Sequence, residues 1–263
     1  MYYLKLIRSF MRASLQQDLA YRANFWINLL HSLLNLVVAL AAILILFNQI
    51  NDLNGWTFSA TVGVMAVYLI IGALRGLFIG PSLETLVGMG QEVWNGNFDF
   101  SLIRPVNIQF LVTFRIWRFF SLFDLALGVG VLFYAVSQSP DPLTWLNWFL
   151  FAITLAAGTL IIYALLLGLS ALAFWSPGFL ITWVFDALFQ LARYPIGIYP
   201  PFIRILLTWI IPIGLITTIP AQALSGQIGS GMALTSLAVA GLLLIFASLL
   251  FHRGIRRYHS ASS

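Results

Sequence analysis

The chain has 263 residues, of which 61% are hydrophobic and 8% charged, with 13 Lys and Arg against 8 Asp and Glu and no cysteine. Soluble domains carry about 25% charge, so a mean hydropathy of +0.96 excludes an ordinary water-soluble fold. The lack of cysteine excludes disulfides, thiolate catalysis and cysteine-based metal sites. The apolar runs do not alternate in polarity, which excludes a membrane barrel, and the chain reads as an all-α integral membrane protein.

Residues 1–24 set Lys5, Arg8 and Arg12 on one side of a helix and Leu4, Ile7, Met11 and Leu15 on the other, the pattern of an amphipathic interfacial helix. Six runs then approach or exceed the roughly 20 residues that cross a bilayer: 25–47, 57–80, 116–136, 147–174, 199–218 and 234–251. The first is too long for a signal-peptide core and lacks a small-residue cleavage site, so it is expected to be retained. QINDLNG and SQSPDPLTW supply tight turns after the first and third runs. Between the second and third lies the long polar stretch 81–115, which includes GQEVWNGNFDFSLIRPVN from Gly90 to Asn107.

Residues 175–198 hold an apolar run, Phe179 to Ala192, that is short for a span and contains Asp186; an interfacial or re-entrant segment is expected there. IPAQALSGQIGSG, with Pro220 and its glycines, predicts a re-entrant region before the sixth run, and 252–263 a polar tail.

With six spans, all 13 Lys and Arg fall on one side. Lys5, Arg8, Arg12 and Arg22 precede the first span, and Arg75 ends the second. Arg104, Arg115 and Arg118 surround the long loop, Arg193 and Arg204 flank the start of the fifth span, and Arg253, Arg256 and Arg257 follow the sixth. Basic residues concentrate in cytoplasmic loops, so both termini and the 81–115 loop are expected in the cytoplasm. The pI of about 9.8 then follows from topology and anionic lipid, without nucleic acid.

Catalytic signatures are missing. The only lysine, Lys5, stands in no phosphate-cradling glycine motif. His31, His252 and His259 form no metal-ligand spacing, and no G-x-S-x-G elbow occurs. Asn24, Asn28, His31 and Asn35 recur at helical spacing along the first span. They read as interhelical hydrogen-bonding groups worth roughly 1 kcal/mol per contact, with the lining of a path or a contact between membrane subunits as the alternative. Asp124, inside the third span, is expected to pair with Arg118, Arg115 or Arg75; a proton-coupled carrier using it is the competing reading.

GNFDFSLIRPVN, Gly96 to Asn107, resembles the G-x-x-D-x-x-L-x-R-P segment of one branch of the ABC-2 transporters, the permease subunits of bacterial type-2 ABC exporters. Arg193-Tyr194-Pro195 and IGLITTIPA, Ile213 to Ala221, are similar to that branch as well. The resemblance implies a permease in the bacterial inner membrane that binds no cofactor of its own. It implies partnership with a cytoplasmic ATPase dimer that binds the ATP, with a second permease, identical or related, and with membrane lipid. It further implies that Glu84 to Trp94 forms a coupling helix docked on the ATPase, with Glu84 and Glu92 available to basic groups there. Asn95, Gly96 and Asn97 would break that helix, Asp99 and Arg104 would brace the return, and Pro105 would fix its end.

Overall fold

The computed structural model describes residues 2–20, 22–50, 52–88, 91–139, 142–178 and 181–258; Gly90, Pro140, Asp141, Phe179 and His259, which figure in the sequence reading, lie outside them. The described residues are helical throughout, apart from turns and a single bridge between Leu53 and Trp56. Helix satisfies every backbone N–H and C=O within one segment, which is what a chain this apolar requires in hydrocarbon.

Helix α1 is Tyr2–Ala20 and α2 is Arg22–Phe47. Helix α3 runs from Phe58 to Glu84, passing through a π-helical turn at Arg75–Ile79. Its start is capped by Thr57, whose hydroxyl accepts the Ala60 N–H at 3.3 Å. Two short helices follow, α4 (Asp99–Leu102) and α5 (Ile108–Phe114), then α6 (Ser121–Ser137) and α7 (Trp145–Phe174). Helix α8 is Ile181–Gln190; α9 (Pro201–Ile210) and α10 (Ile213–Leu224) meet at a bend of 67°, and α11 is Ser230–Arg257.

Four of these helices are long and apolar enough to cross a membrane: Ala23–Phe47, Phe58–Glu84, Trp145–Phe174 and Ser230–Arg257, with α9 and α10 making a fifth if the bent pair is one span. Helix α6 is apolar but has only 17 residues.

Small residues set the packing. A Cβ on Gly128 of α6 would lie 2.9 Å from the Ile70 backbone nitrogen of α3, so those two helices touch nearly backbone to backbone. Gly168 of α7 faces Ala247 of α11, and Gly254 of α11 lies under Phe174 and Trp175. Gly158, midway along α7, receives the Ile216 carbonyl at 2.7 Å from where a Cβ would stand. Helix α3 is deeply embedded, with Thr61 through Val67 all buried, whereas among its described side chains α2 buries Ala39 and Ile43 alone.

The contacts of 175–224 depart from the expected course. Residues 181–198 lie lengthwise against α3. Asp186 pairs with Arg75 near one end of α3 at 2.5 Å, Arg193 stacks on Tyr68 midway, and Gly197 abuts Trp56 at the other end. The run 199–218, expected as one span, holds a break at Ile211 and Pro212, where α9 and α10 bend by 67° as a broken span or a re-entrant loop does. Its inner turn reaches Gly158, while Leu224 returns to the start of α7, where Asn147 donates to its carbonyl at 3.3 Å. Pro212 supplies the reason, since proline cannot continue a helix through its interior, while Pro200 and Pro201 stand at the start of α9. The Thr217 hydroxyl donates to Ala192 O at 2.9 Å and the Thr218 hydroxyl accepts Ile196 N–H, which stitches the bent pair to the 181–198 segment.

Candidate functional site

The polar loop between α3 and α5 is a built object. From Thr85 to Trp94 the described residues form turns where helix was expected: Glu92 N–H reaches back to Thr85 O at 2.9 Å and Phe98 N–H to Glu92 O at 3.2 Å. Gly88 at φ 109° and Gly96 at φ 73° hold backbone conformations that side-chain-bearing residues avoid, and each stops helix growth where it stands. With no helix among the described residues of 85–94, Asn95, Gly96 and Asn97 continue the turns, and the helix that follows, α4, opens on Asp99, an acid suited to a helix N-terminus.

Arg115, just past α5, is the hub of this loop. Its guanidinium pairs with Glu92 and donates to the Thr85 hydroxyl at 2.9 Å and the Ser101 hydroxyl at 3.4 Å. Both partners of the ion pair are mostly buried, at 16% and 21% side-chain exposure, so the charges are weakly screened. A second network joins Arg75 and Arg118 to Glu84 at 3.6 and 3.3 Å. Glu84 and Glu92 thus face inward to arginines of this chain, which corrects the expectation that they stand free for a partner. Phe98 is fully buried and packs on Phe174 at the end of α7 and on Tyr258 beyond α11. The loop is anchored to α3, α7 and α11 at once.

What it presents outward mixes large apolar side chains with the polar Gln91, Asn95, Asn97 and Asn107. Trp94 is 49% exposed, Phe100 66% and Ile103 79%, and Arg104 and Pro105 are exposed beside them. The Tyr258 hydroxyl is buried next to Asp99; burial, then the Asp99 charge, pushes its pKa up to about 12.

Residues 116–119, between α5 and α6, lie outside any helix, yet each N–H has a partner. Ile116 donates to the Ser82 hydroxyl at 2.7 Å, Trp117 to Ser14 at 3.1 Å, Arg118 to Leu77 O at 2.9 Å and Phe119 to the Asp18 carboxylate at 2.8 Å. Sequence reasoning missed Ser14, Asp18, Ser82 and the hub role of Arg115. Ser14 and Asp18 do share one face of α1 at i, i+4 spacing, a signal that was available.

On α2, Asn35 meets the His31 imidazole at 3.1 Å and both are exposed. Asn24 and Asn28 line a cavity of about 690 Å³ shared with Asp18, Arg118 and Phe119. Asp124 takes no arginine: it lies beside Ser32 and His31 of α2, while Arg75, Arg115 and Arg118 are engaged by Glu84, Glu92 and Asp186. The expected ion pair is absent among the described residues because those acids lie closer to the arginines than α6 does. No cluster of three His, Asp or Glu side chains able to hold a metal occurs among the described residues.

Long apolar helices around a shared core, with a structured polar loop clamped to their ends, define a multi-pass helical membrane protein. The sequence model of one such family, described as ABC-2 family transporter protein, matches residues 33–262. The chain belongs to that family of membrane transport proteins. No curated protein matches the chain.

Proposed function

We propose that the chain is the permease subunit of an ATP-driven exporter in a bacterial inner membrane. It supplies the membrane path together with a second permease, and a separate cytoplasmic ATPase dimer drives it. The observation that carries this reading is the clamped loop. Force from a soluble motor has to enter through an element joined stiffly to several spans, and the Arg115–Glu92 hub with the Phe98 plug ties one loop to α3, α7 and α11. Its outer face, where Trp94, Phe100 and Ile103 stand exposed beside Arg104 and Pro105, is the docking surface on this reading. Asn95, Gly96 and Asp99 shape its turn, and Glu84 and Glu92 brace it from within.

The chain crosses the membrane six times with both termini cytoplasmic. The crossings are α2, α3, α6, α7, residues 181–198 and α11, and α9 with α10 dips back into the membrane from the outer side. The course of 181–198 from Arg75 to Trp56 supports the fifth crossing. Asn28, His31 and Asn35, polar and partly uncovered on α2, are placed to meet the second permease or the path.

Affinity purification of the chain from its native membrane in mild detergent, with mass spectrometry of what accompanies it, tests the proposal. A P-loop ATPase is expected, and it should be lost when Trp94 and Phe100 are both replaced by alanine. Recovery of this chain alone would overturn the reading and favour a carrier built on Asp124.

A further inference from the structure

A continuous column of stacked groups runs along α3. The Arg75 guanidinium lies over Phe185 at 5.4 Å and Phe189 at 5.9 Å; Phe185 and Phe189 stack with centroids 6.0 Å apart. Phe189 stacks on Tyr68 at 5.0 Å, and the Arg193 guanidinium closes the column 5.4 Å over the Tyr68 ring. Two arginines therefore cap one aromatic stack, but in unlike settings.

Arg75 is neutralised by Asp186 and Glu84. Arg193 has no carboxylate among the described residues: the remaining ion pairs join Arg115 to Glu92 and Arg118 to Glu84. Its depth makes that unusual. Tyr68 lies ten residues beyond Phe58, about 15 Å along the helix, which is halfway through a hydrocarbon core of about 30 Å. From there the guanidinium cannot reach either headgroup layer by extending its side chain. The inner rings, Phe185 and Phe189, are 4% exposed, whereas Tyr68 and Arg193 are half-buried and open to one side. An aromatic face holds a guanidinium in place without cancelling its charge, and a cation at membrane depth that the chain leaves uncompensated marks a pathway or binding position.

We infer that Arg193, held on Tyr68, binds the anionic group of an amphipathic cargo, a phosphate, sulfate or carboxylate carried on an apolar body. The fork of guanidinium N–H groups fits such an oxyanion, and the half-open Tyr68 ring is the part of the column that the apolar body can meet. That the bound molecule is cargo rests on the exporter reading; that the site takes an anion does not.

The test uses the purified chain in phosphatidylcholine nanodiscs, with dodecyl phosphate as anionic probe and dodecyl maltoside as neutral control, followed by tryptophan fluorescence. Wild-type protein is expected to bind dodecyl phosphate at least about tenfold more tightly than the maltoside. Arg193→Gln should erase that preference and Arg193→Lys should keep most of it. Equal affinities in the wild type, or an intact preference in Arg193→Gln, would overturn the assignment. Should Arg193→Gln fail to fold, phenylglyoxal labelling of the wild type decides. Dodecyl phosphate must slow modification of Arg193 where the maltoside does not, and equal labelling with both overturns the site. Arg193 that is shielded in the native assembly with no probe added would mean a partner's acid occupies it, which also overturns it. Selective binding without a co-purifying ATPase would leave the anion site standing and remove the exporter reading; an ATPase without selective binding would do the reverse.

Discussion

Trp56 and Gly197 touch: a Cβ on Gly197 would stand 2.7 Å from the indole nitrogen of Trp56. Trp56 sits in the turn ahead of α3, and Gly197 ends the segment that begins beside Arg75 at the far end of that helix. The contact therefore records that residues 181–198 run the length of α3. It also predicts that Gly197→Ala is destabilising, by about 1–3 kcal/mol for an overpacked site. Thermal unfolding in detergent reads the loss, and a Trp56→Leu background should relieve most of it.

The same contact puts Arg204 at the Trp56 end, where it donates to Gly197 O at 2.8 Å and is exposed. Because the chain has no cysteine, single cysteines report topology without a cleared background. Arg204→Cys and Asn54→Cys are expected to react alike with a membrane-impermeant maleimide added to intact cells, and Ile103→Cys only after permeabilisation. Labelling of Arg204→Cys together with Ile103→Cys would restore the side that the arginine distribution alone suggests.

The apolar runs 25–47 and 147–174 overlap the helices Ala23–Phe47 and Trp145–Phe174. Between Pro177 and Pro212 the structure holds two features that hydropathy does not read. Residues 181–198 carry Asp186 and Arg193, whose partners Arg75 and Tyr68 come from α3 and cannot be seen locally. The bent pair from Pro201 to Leu224 is as apolar as a span, and only the bend at Pro212 distinguishes it. In the loop, Gly96 was legible because a positive φ has a residue preference. The inward pairing of Glu84 and Glu92 was not, since it depends on where Arg115 and Arg118 arrive after a further helix.

Arg115 and Glu92 set up a prediction about rigidity. Removing one partner of a mostly buried pair leaves an uncompensated charge, at about 3–5 kcal/mol. Glu92→Ala should therefore lower the unfolding midpoint sharply, and Arg115→Ala should do the same with the Thr85 and Ser101 bonds lost as well. The double variant is expected to be less destabilised than the two single effects added together, the signature of coupling in a double-mutant cycle. Strict additivity would show that the pair does not hold the loop.

Tyr258 gives the loop a dependence on alkaline pH. Its hydroxyl is buried beside Asp99, and its pKa rises from 10.0 to about 12. The folded state therefore holds the phenolic proton more tightly than the unfolded chain does. Between pH 10 and pH 12 the unfolded form has lost that proton while the folded form retains it, so stability is fully present below the unfolded value and declines as pH rises through the window. Thermal unfolding across this range should show a falling midpoint in the wild type and a smaller fall in Tyr258→Phe, which has no proton to lose. Asp99→Asn removes the neighbouring charge but not the burial, so its slope should lie between the two; a Tyr258→Phe slope equal to wild type would place the titrating group elsewhere.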